Sequence, residues 1–167
     1  MSEMSVNSEN NLGALWKAIL HNQKQVWLTM HSGSMSPLMP TGSQIFVKSL
    51  EHAHQKISAG DIVLYINDNQ LIAHRVLWLR CSQHQCLEGG DSAVSTSFIS
   101  IDNIIGVVEK IKVNDKEFDL NSRAGVLLIW FITATSLGIL AVRRFWPKAG
   151  YLLHRLKLRL VRTVIAY

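Results

Sequence analysis

Apolar and polar positions change rhythm three times along the chain. Leu12 to Leu20 places Leu12, Leu15, Trp16 and Ile19 at helical spacing, which predicts a short amphipathic helix. From Val26 onward the pattern shortens to runs separated by Gly, Pro, Asn and Asp. These runs predict strands over Val26–Met30, Gln44–Val47, Asp61–Ile66, Leu71–Leu79, Gln85–Glu88 and Ile104–Val113. Two hairpins are signalled, one turning at Asn67-Asp68-Asn69 and one at Val113-Asn114-Asp115-Lys116. The third rhythm begins at Ala124, where 19 residues to Val142 carry no charge. A helix of that length covers about 28 Å, close to the hydrocarbon thickness of a bilayer.

Arg143-Arg144-Phe145-Trp146 follows directly, the basic and aromatic composition of a membrane boundary. After Pro147 and Gly150, residues 151–167 set Leu152, Leu153, Leu156, Leu160 and Val164 on one helical face with Arg155, Arg159 and Arg162 beside it. That pattern predicts an amphipathic helix on a membrane surface. The division expected is a polar lead-in over 1–11, without order, a mainly β body over 12–123, a transmembrane helix over 124–142 and a basic tail over 143–167.

Charge refines this division. The net charge is +5, yet residues 1–123 hold 10 Lys and Arg against 12 Asp and Glu. The whole excess comes from the tail, whose seven basic residues meet no acid. A basic tail beside an apolar run points to lipid headgroups as partner, through residues 124–167, rather than to nucleic acid. The excess of basic residues after Val142 would place the C-terminus in the cytoplasm and the β body outside, in a single-pass inner-membrane arrangement. The N-terminus has no basic start or apolar core of a secretory signal peptide, so the side of the body stays open.

Cys81 and Cys86 are too few for a disulfide framework. With His84 between them they hint at a metal site that lacks a fourth ligand, so no metal is expected. They read as two small apolar residues on facing strands; a disulfide between them would favour the exported arrangement.

A serine hydroxyl needs a neighbouring base before it attacks a carbonyl. Ser34 stands out by its setting in Ser32-Gly33-Ser34-Met35-Ser36-Pro37, a turn between strands where backbone N–H groups can form an oxyanion hole. By spacing alone it remains open between a nucleophile and one more serine of a turn shaped by Met35 and Pro37. His31 is a rival base, but neighbouring strand residues point to opposite faces. His52 and His54 fall in a polar loop, and Asp61 after Gly60 reads as a strand-start residue.

Five segments, Ser32 to Leu38, Gly60-Asp61-Ile62-Val63, His74-Arg75-Val76, Gly90-Asp91 and Ile104 to Val108, together resemble the signal peptidase I superfamily in order and approximate spacing. The resemblance covers roughly residues 26–113 and is strongest to small bacterial members outside the housekeeping enzyme. It implies a signal peptidase/LexA-like β catalytic body and a serine endopeptidase that cleaves signal or leader peptides, with small side chains before the cut. It also implies Ser34 as nucleophile, Ser32 and Ser34 as oxyanion donors, and no cofactor.

The superfamily divides at the base. Housekeeping enzymes and LexA-like repressors use Lys, whereas the branch typified by the endoplasmic reticulum enzyme uses His, and His74 matches it. An imidazole is largely neutral near pH 7 and accepts a proton without the desolvation a lysine requires. The same resemblance implies Asp91 as the acid orienting His74, with Asp102 in reserve. Two departures stand out: Ser97 replaces a second Asp of the endoplasmic reticulum enzyme, and Gly42-Ser43 replaces a common Gly-Asp. They leave open an inactive module that binds a peptide on the same fold. A LexA-like regulator would need a Lys base and an upstream DNA-binding domain, for which 25 residues are too few.

Overall fold

The computed structural model describes residues 6–50, 56–68, 70–93 and 95–165. Helix α1 (Val6–Gln23) leads into an antiparallel sheet of β1 (Gln25–Thr29), β2 (Gln44–Ser49), β3 (Ile62–Asn67), β4 (Gln70–Arg80), β5 (Gln85–Gly89), β6 (Thr96–Ser100), β7 (Ile104–Val113) and β8 (Lys116–Asp119). Helices α2 (Arg123–Phe145) and α3 (Pro147–Val164) complete the chain. The sheet runs β1-β2-β7-β3-β4-β5-β6, with β8 paired to β7.

Alternation along β3 explains why the sheet is buried on both faces at its centre. Ile62 and Leu64 belong to a larger core on one face, and Val63 and Tyr65 to a smaller one on the other. The larger core draws in Met35, Leu38 and Met39 from the turn after β1, Leu20 from α1, Leu128 and Ile132 from α2, and Val161 and Ile165 around the end of α3. The smaller core joins Val76, Cys86, Ile99 and Ile104.

The mainly β body, its six expected strands and both hairpins are present, within a few residues of the boundaries read from the sequence. In the second hairpin Asn114 and Asp115 take positive φ, which their short polar side chains tolerate. Three expectations change. The first helix starts at Val6, so the lead-in expected to lack order is helical from there onward, and Met1 to Ser5 lie outside the described residues. Strands β6 and β8 were not expected: β6 is mostly exposed and polar, and β8 is a charged edge, so neither carries the alternation that marks a half-buried strand.

The third change concerns the C-terminal helices. Among the described residues α2 is long and apolar enough to cross a membrane. It nevertheless packs on the body through Gly125, Leu128, Ile132, Thr133 and Ile139, one face over almost four turns. A β sheet of this size cannot surround a helix, but it can receive one side of it. Helix α3 folds back against α2 and buries Gly150, His154, Lys157 and Val161.

Candidate active site

Three backbone segments converge on Ser34. The first is its own turn, which leaves β1 and continues the pairing with the start of β2: Met30 N–H donates to Ser43 C=O and Gly42 N–H to Met30 C=O, both at 2.8 Å. Met35, Leu38 and Met39, all fully buried, sink the following turn into the larger core. The Ser34 hydroxyl is thereby held at the surface on a rigid base.

The second segment is β4, which delivers His74. Its Nε2 lies 3.1 Å from Ser34 Oγ. Its Nδ1 lies 2.5 Å from Glu88 Oε2. With a carboxylate at Nδ1, that nitrogen carries the proton and the Nε2 lone pair faces the serine hydroxyl, the tautomer needed to accept a proton. The Tyr65 hydroxyl approaches the same Nδ1 at 3.4 Å, and Ser97 Oγ donates a short hydrogen bond to Glu88 Oε1. Cross-strand pairing produces this row. His74 faces Val63, Glu88 faces Val76 and Ser97 faces Glu88, so His74, Glu88 and Ser97 project from one side of the sheet.

Glu88 is 3% exposed. Burial alone would raise its pKa, but hydrogen bonds from His74 and Ser97, the charge of His74 and a hydrogen bond from Tyr65 outweigh it and hold the carboxyl below its ordinary range. The acid is kept ionised where a protonated imidazole would need it. The same carboxylate has the opposite effect on its acidic neighbours. Burial and then Glu88 push the Cys86 thiol up to about 11, and the Tyr65 phenol is also raised.

The third segment is the Gly90-Asp91-Ser92 loop after β5. Ser92 N–H donates to Ser34 C=O at 2.9 Å, and the Ser92 hydroxyl is shared between the carbonyls of Ser34 and Gly33 at 2.8 and 2.9 Å. A side chain at Gly90 would stand 2.6 Å from Ser34 O, so glycine is what permits the loop to lie on the serine turn. The loop is fixed from below by Arg75, which is fully buried and grips Asp91 with Nε and Nη2 at 2.8 and 2.7 Å while Nη1 donates to Gly60 C=O. It is fixed from the side by α3: His154 Nε2 contacts Ser92 C=O at 3.1 Å, and Lys157 Nζ donates to Asp91 C=O at 3.0 Å.

The acid assigned to His74 by resemblance is therefore corrected. Asp91 belongs to Arg75 on the opposite side of β4, and the reserve, Asp102, lies at the surface 3.2 Å from His84. Glu88 occupies the position at His74 Nδ1. Its signal in the sequence was slight: the one acid of an otherwise uncharged strand, two residues after Cys86 and hence on the same inward face. His31 lines the same groove as Ser34, but the hydrogen-bond partners of Ser34 Oγ are Ser32 and His74. His52 and His54 lie outside the described residues. Cys86 is buried and Cys81 exposed, both as free thiols, so the pair lacks the bridge that would have favoured an exported body.

Around the Ser34 hydroxyl, Ser32 Oγ lies 3.3 Å away. Among the described residues the Ser34 N–H makes no hydrogen bond. A neutral donor and a free backbone N–H beside an activated hydroxyl are the elements that stabilise an oxyanion. Next to them opens a groove of about 840 Å³, walled by Trp27 to Ser32 on one side and Gln70 to His74 on the other, with Trp16 of α1 over it. Among the described residues, both walls are unpaired strand edges. β1 pairs with β2 alone, and β4 meets β5 only from Arg75 onward. The chain matches no protein-family model, and no curated protein is found similar to it.

Proposed function

We propose that the protein is a membrane-associated serine endopeptidase, attached through residues 124–167, that cleaves an extended peptide of the signal or leader type by acyl transfer. The observation that carries this reading is His74 standing between the Ser34 hydroxyl and the Glu88 carboxylate. A substrate strand enters between the free edges of β1 and β4 and hydrogen-bonds to them, which brings its scissile carbonyl to Ser34. Ser34 Oγ attacks as its proton passes to His74 Nε2, and the imidazolium is stabilised by Glu88. The oxyanion is held by the Ser34 N–H and the Ser32 hydroxyl. His74 returns the proton to the leaving amine, and water then attacks the acyl-enzyme with His74 again as base.

The test is labelling by a fluorophosphonate probe together with cleavage of candidate preproteins. Ser34→Ala and His74→Ala are each expected to abolish both, with unchanged thermal unfolding. Labelling and cleavage by both variants at the parent rate would end the peptidase reading. A parent chain that binds such peptides without cleaving them would make it a peptide-binding module instead.

A further inference from the structure

Helices α2 and α3 expose apolar surface that the body does not cover. On α2, Leu127 and Trp130 are 72% and 71% exposed, with Phe131 beside them. On α3, Leu152, Leu156 and Leu160 point outward. Helix α3 has three faces, not two. Gly150, His154, Lys157 and Val161 meet the body and α2, the leucines form the second face, and Arg155, Arg159 and Arg162 form the third, all exposed. No acidic residue follows Asp119. Apolar surface edged by cations with no acid matches an anionic lipid surface.

The register of the two helices decides how that surface meets the bilayer. Lys157 Nζ donates to Ser136 Oγ at 3.1 Å, near the middle of α2, and Gly150 lies against Arg143 near its end, so the helices run antiparallel. If α2 crossed the bilayer with α3 beside it, Arg155 and Arg159 would be exposed to lipid at the depth of Ser136, the most costly position for a charge. If α2 crossed alone, Leu128 and Ile132 would leave the larger core that they share with Leu120 and Met35. Laid flat, the pair keeps its contacts with the body, buries the outward leucines and Trp130, and leaves the arginines among headgroups.

We propose that α2 and α3 lie side by side in the plane of one leaflet of an anionic membrane and do not cross it, so the protein is attached from one side. This deepens the reading that residues 124–167 contact lipid and rests on it; it does not depend on the chemistry at Ser34.

The test uses the full chain with Cys81→Ser, which removes the exposed thiol and leaves the buried Cys86, together with either Asn121→Cys or Lys148→Cys, before and after α2. In sealed membrane vesicles from expressing cells, both cysteines are expected to react with an impermeant maleimide from the same side. Labelling from opposite sides would overturn the in-plane arrangement and leave membrane attachment standing. Flotation with vesicles of phosphatidylcholine, with and without about 30% phosphatidylglycerol, tests attachment itself. Binding is expected to rise at least about tenfold with the anionic lipid, and to fall about tenfold or more in Leu156→Glu/Leu160→Glu. Failure to float with either composition, or a lipid-free dimer that the double variant dissolves, would overturn both readings.

Discussion

Two acids three residues apart, Glu88 and Asp91, are held by different partners, and this decides what substitution of each does. Glu88→Gln keeps a hydrogen-bonding group of the same shape at His74 but removes the charge and lets the imidazole adopt the wrong tautomer. Acylation by the fluorophosphonate is expected to slow by about 10²- to 10⁴-fold with little change in melting temperature. Asp91→Asn leaves the fully buried Arg75 without its counter-charge, which costs about 3 to 5 kcal/mol. Denaturant unfolding should register that loss, while the protein that remains folded still labels. The opposite outcome, activity lost with Asp91 and kept with Glu88, would return the orienting role to Asp91. The pairing of Ser34 with His74, 3.1 Å apart, was expected only through the resemblance of their two short segments, since spacing alone left Ser34 open. The acid was not, because its partner is chosen by the β4–β5 register: Arg75 faces Gly89 and points away from His74, and it is Arg75 that Asp91 follows.

At the scale of elements, strands with a buried apolar face were readable, β1 at the sheet edge included, and the polar strands β6 and β8 were not. β3 declares itself because both its faces are buried, whereas β8 contributes only Phe118 to the apolar packing and β6 little beyond Ile99. The contact between α2 and the sheet left no pattern of its own, since an uncharged helix has the same composition against protein as against lipid. What betrays the contact is glycine. Gly60 has φ +104°, and a side chain there would stand 2.7 Å from Ile129 of α2. Both effects oppose Gly60→Ala: a backbone region that side chains avoid and an overpacked helix contact. It is expected to cost about 1 to 3 kcal/mol, read by denaturant unfolding of the full chain. A helix that merely anchors the body, without packing on it, would feel only the backbone share of that cost.

For the whole molecule, the larger core does not stop at the boundary between the β body and the C-terminal helices. Leu128, Ile132, Val161 and Ile165 share one cluster with Met35, Leu38 and Ile45, and Met35 follows the Ser34 residue directly. Lys157 adds a polar tie. Burial lowers its pKa, the Asp91 charge partly restores it and Arg75 opposes that, and its buried Nζ donates to Ser136 Oγ and the Asp91 carbonyl. Such a group is tolerated only where its hydrogen bonds are kept. A chain ending at Asn121 would therefore lose both the lid of its larger core and the two side chains that steady the Asp91-Ser92 loop. It should unfold without the sharp cooperative transition of the full chain and label at Ser34 at least about tenfold more slowly, since a small displacement of reacting groups is enough for that. Fluorophosphonate labelling beside thermal unfolding of the two chains makes the comparison. A truncated chain that melts cooperatively and labels at the parent rate would show that α2 and α3 serve attachment alone, and that the contacts from His154 and Lys157 to the loop are incidental to the site.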